Sequence, residues 1–282
     1  MLSYRHIFHA GNFADVHKHA VLTLLIGALR RKDKGFCYLD THAGAGRYDL
    51  YSAAARKNAE FSSGVTRVVQ HADVPGALQD YIAALRACNG GALEPLRYYP
   101  GSPRLVRTML REQDRMVLME LHNNEVQNLR EEFAGDRQVG VHHVDGYEGL
   151  NAFLPPAERR GLVLIDPAYE RRDEYQRAIH GLESGYRKWP SGMFALWYPI
   201  DERSRIDALH ERLRATGIRK ILVAELCIYP DDLAQRLNGS GMVIVNPPWQ
   251  LDETLRELQP WLWDVLSVER LGFTLVEWLT TE

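Results

Sequence analysis

Short, continuously apolar runs that alternate with amphipathic helical stretches constrain this chain more than any other feature. The first four runs are Phe36-Cys37-Tyr38-Leu39-Asp40, Arg115–Glu120, Val139–Asp145 and Gly161–Asp166. Met193–Tyr198, Lys220–Tyr229, Gly241–Val245 and Phe273–Trp278 follow, and helical patterns such as Glu125–Phe133, Tyr175–Trp189 and Arg203–Ala215 separate most of them. A strand that is apolar on both faces must be covered on both, so the alternation predicts an α/β fold built on a parallel sheet. Before the first strand, residues 12–31 read as a helix, with Asn12 as its cap, Asp15 in its first turn and Gly35 beyond its basic end. Residues 50–97 break the rhythm. Tyr81-Ile82-Ala83-Ala84-Leu85 is helical in pattern and Cys88-Asn89-Gly90-Gly91 is a turn. The expected organisation is one Rossmann-like domain, residues 1–49 and 98–282, carrying an inserted helical subdomain over 50–97.

Four of the runs end on an acid: Asp40, Glu120, Asp145 and Asp166. In an open α/β sheet the ligand sits outside the carboxyl ends of the strands, so these acids are expected to converge on one crevice. The turn Gly44-Ala45-Gly46 after the first strand suits either a dinucleotide or S-adenosylmethionine. A dinucleotide site wants a third small residue three positions after Gly46 and a ribose-binding acid about 20 residues further on. Asp49 occupies the first position, and Thr66 and Arg67 stand near the second. The dinucleotide reading fails on both counts. S-adenosylmethionine carries no phosphate and a positive sulfonium, which a glycine turn ringed by carboxylates suits. Glu120 would accept from its ribose hydroxyls and Asp145 from its adenine amine; the plainer role for either acid is to cap a helix. The expected fold is therefore that of a class I S-adenosylmethionine-dependent methyltransferase.

Asp166-Pro167-Ala168-Tyr169 follows the fourth strand and resembles the Asp-Pro-Pro-Tyr motif of amino methyltransferases. The adenine N6 lone pair is delocalised into the ring and is a poor nucleophile. The Asp166 carboxylate and the Pro167 carbonyl would each accept one N6 hydrogen, and Tyr169 would offer a π face to a base drawn out of its stack. Ala168 departs from the motif, but the carbonyl that matters belongs to Pro167. Asn246-Pro247-Pro248-Trp249 matches the amino-methyltransferase pattern as a string and keeps both prolines, yet it lies three strands further on. It is expected to be a structural strand exit.

With these motifs in place, the segment from Tyr4 to His19 (YRHIFHAGNFADVHKH) closely resembles the opening of the ribosomal RNA large-subunit methyltransferase J (RlmJ) family. So do Leu39–Tyr48, Tyr98–Pro103, Ala195–Pro199 and the string from Asn246 to Trp249, and the resemblance spans essentially the whole chain. It implies an enzyme forming N6-methyladenosine in 23S rRNA, at adenine 2030, with S-adenosylmethionine as cofactor. Carried over by motif, the cofactor contacts are His19, His42, Ser102, Glu120, Asp145 and Gly146, beside Gly44 and Gly46 of the turn. Asp166, Pro167 and Tyr169 take the catalytic role, and Tyr4, Lys18 and Tyr169 stand near the substrate. A DNA-adenine or protein-amide methyltransferase, or a non-catalytic relative, remains the alternative.

The rest of the sequence bounds the partners. Net charge is −3, so phosphate contacts must come from local clusters and not from a basic total. Arg104, Arg107 and Arg111 share one helical stripe, which reads either as a solvated face or as an RNA-backbone contact together with Arg5, Lys18, Arg171 and Arg172. His6, His9, His17 and His19 suggest a metal at first sight. His17 and His19 lie on different sides of a helix, so no metal site is expected. His143-Val144-Asp145 imitates part of an iron facial triad, but such sites sit on antiparallel barrels. The three cysteines are scattered, no run approaches the about 20 apolar residues of a membrane span, and the start lacks the features of a signal peptide. A cytoplasmic monomer acting on 23S rRNA, without membrane or metal, is the expectation.

Overall fold

Successive residues of the apolar runs pack into two cores on opposite sides of one sheet. Tyr38, Met116, Leu118, Leu162 and Leu164 join the core on one side, and Cys37, Leu39, Val117, Met119, Val163 and Ile165 join the other. This period-2 division between two buried faces is why each run is apolar throughout. The computed structural model describes residues 5–230 and 237–281.

The strands are β1 (Cys37–Asp40), β2 (Arg47–Asp49), β3 (Tyr98–Pro100), β4 (Arg115–Met119), β5 (Val139–His142), β6 (Gly161–Ile165), β7 (Met193–Ile200), β8 (Ile221–Cys227), β9 (Gly239–Val245) and β10 (Phe273–Thr280). Eight form one sheet in the order β10-β8-β9-β7-β6-β1-β4-β5. The register at the centre sets Cys37 beside both Arg115 and Gly161. The sheet is mostly parallel and the fold is Rossmann-like, as expected; β9 and β10 depart from the parallel run. β9 runs antiparallel to both β7 and β8, and β10 antiparallel to β8. Only residues 228–238 separate β8 from β9, too few for the crossover that a parallel neighbour needs.

Among the described residues the α-helices are α1 (Phe13–Arg30), α2 (Ala53–Asn58), α3 (Val65–Gln70), α4 (Gln79–Cys88), α5 (Ser102–Arg107), α6 (Asn123–Glu132), α7 (Gly146–Phe153), α8 (Glu174–Lys188), α9 (Arg203–Ala215) and α10 (Leu251–Leu266). α1 starts where the Asn12 side chain accepts the Asp15 amide at 2.9 Å. It lies between the sheet and α4, α5 and α10, so even its polar residues Asp15, His17, Lys18 and His19 are buried. The helical segment α2–α4 leaves through β2 and returns through β3, which pair antiparallel from Arg47↔Pro100 to Asp49↔Tyr98. Its Leu50, Val65, Val68, Leu78 and Tyr81 share one core with Val21, Leu22 and Leu25 of α1. No described helix is long and apolar enough to cross a membrane.

Burial on α1 has a measurable consequence. His17 Nε2 faces the Gln259 amide oxygen at 3.2 Å, and His17 Nδ1 lies 2.9 Å from the Ser240 hydroxyl, which also accepts from Trp197 Nε1. Burial pushes His17 and His19 down to about 3. Between that value and about 6.5 the unfolded imidazoles bind protons that the folded ones refuse, so each makes stability fall as pH falls, by up to about 1.4 kcal/mol per pH unit. Asp40, raised to about 6 by burial, acts in the opposite sense between about 4 and 6. In urea titrations between pH 4 and 7, His17→Gln is expected to show a shallower loss of stability toward acid than the parent. An unchanged slope would mean that His17 is charged when folded.

Candidate active site

The strand order reverses at β1: the chain runs outward through β4 and β5, then returns to place β6 on the other side of β1. A cleft of about 290 Å³ opens at the carboxyl ends of these strands, the position that this topology provides for a ligand. His19, His42, Gly44, Ser102, Glu120, Asp145, Gly146, Asp166, Pro167, Tyr169 and Lys18 all line it. Tyr4 lies outside the described residues.

Two of the expected convergences are corrected. Gly46 does not line the cleft: a Cβ there would meet Leu129 and Phe133, so this glycine, at φ +81°, serves the packing of α6. Gly101 lines the cleft from the neighbouring turn. Of the four strand-end acids, Asp40 is fully buried beneath the cleft. It accepts from the Tyr38 hydroxyl, the Ser102 hydroxyl and the His42 amide. Ser102 therefore spends its proton on Asp40 while lining the wall.

The other three acids differ in what they leave free. Glu120 accepts the Gly44 amide at 2.8 Å through one oxygen and the His122 amide at 2.6 Å through the other. Each oxygen keeps a second lone-pair site. Burial raises its pKa. Asp145 caps α7, its Oδ1 accepting the Tyr147 and Glu148 amides, and its Oδ2 takes Arg177 Nη2 at 2.9 Å. Asp166 Oδ2 accepts Lys18 Nζ at 2.6 Å, and the same ammonium lies 3.0 Å from Asp15 Oδ1. Burial alone would discharge Lys18, but the Asp166 and Asp15 carboxylates overcome it and hold its pKa above the ordinary value. Asp15 is in turn bound by the Gly11 amide and His6 Nε2.

Two backbone features shape the cleft. Gly146 stands where a Cβ would come within 2.1 Å of the Thr41 carbonyl, so only glycine lets α7 start against the first strand's exit. Tyr169 holds φ +53°, a conformation costly for a bulky residue. Its hydroxyl donates to the Trp197 carbonyl at 2.7 Å, and its ring lies 4.6 Å from that of Tyr175 and 5.7 Å from that of Trp197. Burial lowers the pKa of His42, to about 4, so this imidazole is neutral at pH 7.

The family model described as ribosomal RNA large subunit methyltransferase D, RlmJ, matches residues 33–280. The chain belongs to the RlmJ family. Ribosomal RNA large subunit methyltransferase J of Escherichia coli (strain K12) is 46% identical over 282 residues, and the Haemophilus influenzae protein of the same name is 45% identical; each match covers 100% of both chains. The crystal structure of protein LPL1258 from Legionella pneumophila superposes with a TM-score of 0.87 at 34% identity, covering 96% of this chain and 98% of that one.

In this RlmJ-family chain the second proline-containing string lies far from the cleft. Asn246 follows β9, which runs against β6, so it emerges at the opposite end of the sheet from Asp166. Its Nδ2 donates to the Pro190 and Gly192 carbonyls at 2.9 and 2.7 Å, and Asn246 itself is at φ +53°. Asn246→Ala is expected to lower unfolding stability by about 1–2 kcal/mol, read from the urea midpoint, with methyl transfer retained. Loss of transfer at unchanged stability would reverse the assignment.

The arginine stripe is covered by acids. Arg104 meets Glu132 at 3.3 Å, Arg107 meets Asp136 at 2.5 Å and Arg111 meets Asp114 at 2.9 Å. The N-terminal histidines are likewise shared out, His6 to Asp15 and His9 to Glu60. Among the described residues no three His, Cys, Asp or Glu side chains are grouped to hold a metal ion. Sequence reasoning missed Asp15, Arg177, Glu174 and Trp197, all in the cleft wall. Arg177 bridges Asp145 and Glu174 and lies 4.9 Å over the Tyr147 ring. Its i,i+3 spacing from Glu174 was the one local signal for it.

Proposed function

We propose that this chain transfers a methyl group from S-adenosylmethionine to the exocyclic amine of an adenine in 23S rRNA. The reading is carried by the Asp166-Pro167-Ala168-Tyr169 turn, which stands at the carboxyl end of β6, beside Glu120 and Asp145, in one cleft. The names of the relatives at 45–46% identity support ribosomal RNA as the substrate class.

The cleft suits this cofactor. Its lining carries acids, the neutral His19 and His42 imidazoles and a glycine cradle at Gly44 and Gly146, while its cations Lys18, Arg171 and Arg177 each already meet a carboxylate. Such a lining welcomes a sulfonium and offers little to a pyrophosphate. Glu120 would take the ribose hydroxyls through its remaining lone-pair sites. Asp145 would take the adenine amine through an oxygen that already accepts a neighbour. When bound, S-adenosylmethionine supplies an electrophilic methyl on a positively charged sulfur.

The chain's own residues prepare the amine. Lys18 occupies Asp166 Oδ2 and leaves Oδ1 for one N6 hydrogen, while the Pro167 carbonyl takes the other. With both hydrogens held in acceptors, lone-pair density concentrates on nitrogen and points away from them. The fixed acceptors need no reorganisation during transfer. Tyr169, tied to the Trp197 carbonyl, presents its ring to the extruded base. After transfer N6 carries an excess proton and is strongly acidic. Asp166 accepts this proton and passes it to solvent.

The test is labelled methyl transfer to protein-free 23S rRNA that lacks its own modifications, followed by nucleoside analysis. Label in N6-methyladenosine is expected, which would also show that Ala168 is tolerated. Label in another nucleoside would sink the reading. If the cofactor binds and no label transfers, Ala168→Pro separates a disabled turn from a wrong substrate.

A further inference from the structure

Beside the cleft lies a surface that the mechanism does not use. The three residues His6–Phe8 form a short helical turn, and His6 and His9 reach the cleft while α2 packs on the outside of that turn. There Lys57 Nζ sits 5.8 Å over the Phe8 ring, and Arg56 lies 4.8 Å over the ring of Tyr51, which is 41% exposed. Further along the ribbon, Tyr98 is flanked by Arg97 at 5.0 Å and Arg47 at 4.9 Å.

The charge of α2 is not neutralised as the arginine stripe is. Arg56 and Lys57 are exposed, and the acid near Arg56 is Asp49, whose carboxyl burial would raise but Arg97 and, more weakly, Arg56 help to hold below its ordinary range. Arg97 and Arg47 meet Asp49 and Glu132; Arg97 is 54% exposed against 34% for Asp49, and Arg47 41% against 10% for Glu132. α2 is six residues long and held by its Ser52 cap and its basic last turn. It contributes one buried residue, Ala55, to the interior. Apart from their charge at the end of α2 and their places over the Tyr51 and Phe8 rings, packing gives Arg56 and Lys57 no task.

Alternating exposed cations and aromatic rings fit a nucleic-acid strand whose bases are unstacked. Cations take the phosphates, and ring or guanidinium faces take bases. A target adenine reaches a recessed cleft only by leaving its stack, so the nucleotides beside it are available to such a surface. We propose that Tyr51, Arg56 and Lys57 hold the single-stranded RNA flanking the target adenine. This rests on the RNA reading of the cleft and gives that cleft its footprint. It also moves the footprint away from Arg104, Arg107 and Arg111.

The full-length protein is compared with the double variant Arg56→Ala/Lys57→Ala and with Tyr51→Ala, using protein-free 23S rRNA at 50–300 mM KCl. Alanine suits the exposed face of α2, so the fold is kept. The double variant is expected to raise KM about tenfold with kcat and cofactor affinity unchanged. It should also flatten the plot of log affinity against log salt by about 1.4, at about 0.7 for each lost contact to a single strand. Tyr51→Ala should weaken binding by about tenfold without changing the salt slope. Parent-like KM and salt slope in the double variant would overturn the proposal. So would a loss confined to assembling ribosomal particles, which would assign the surface to a protein partner. If the parent itself transfers no methyl to RNA, the functional reading fails first and separately.

Discussion

Asp166→Ala is expected to lower the single-turnover rate of methyl transfer by at least about 10³-fold while S-adenosylmethionine still binds. The magnitude follows from removing a fixed acceptor aimed at the reacting amine, worth about 10²–10³ by itself in comparable sites, and from freeing the amine to rotate out of line. Asp166→Asn separates the two contributions. It keeps an oxygen acceptor of the same shape but loses the charge that faces Lys18 at 2.6 Å, so an intermediate loss is expected. Measuring cofactor affinity by calorimetry in the same variants keeps binding apart from chemistry. A parent-like rate in Asp166→Ala would remove the turn after β6 from the mechanism and leave the cleft as a binding site.

Lys18→Met should be the most damaging single change to stability. Its ammonium lies between Asp15, fully buried at 2%, and Asp166, and is itself 5% exposed. Breaking a buried ion pair by deleting one partner costs about 3–5 kcal/mol, because the remaining charges keep their desolvation penalty. The pH dependence carries the diagnosis. In the parent, burial would raise the Asp15 pKa, but His6 and Lys18 together bring it well below its ordinary value. A carboxyl depressed in the folded state contributes stability that is present above its unfolded pKa and lost as pH falls through its folded one. Without Lys18 the buried Asp15 gains a proton more readily, and the variant loses least at low pH. Urea unfolding at pH 5 and pH 7.5 should show the gap to the parent narrowing at pH 5. A gap independent of pH would mean that Lys18 acts by packing alone. Methyl transfer should fall in the same variant, since Asp166 Oδ2 loses its donor and the carboxylate is free to turn.

Much of the site was legible because its chemistry is local. The turn Gly44-Ala45-Gly46, the acids closing the strands and the Asp166-Pro167 pair are each read from neighbours a few residues apart, and strand exits in a doubly wound sheet face one crevice. Where this reasoning went astray, the cause was the same in each instance. Gly46 and Asp40 sit in the expected turn and at the expected strand end, yet one packs against Leu129 and the other is buried with Tyr38 and Ser102. A neighbour in sequence says where a residue is along the chain, not which side of the turn it faces.

The sequence by itself determined the alternation of elements, the apolar faces that demand cover on both sides, the cap at Asn12 and the separation of Asp166 from Asn246 by three strands. These follow from backbone geometry and burial, which act over short spans of chain. Tertiary structure alone decided that β9 runs backwards, which sends Asn246 to the far end of the sheet. It also decided that Lys18 meets an acid 148 residues away and that the arginine stripe is covered by Glu132, Asp136 and Asp114. Whether an arginine is free for a phosphate, or a lysine for a substrate, depends on which carboxylate the folded chain carries to it. That pairing is set by packing between distant elements, on which local propensity has no hold.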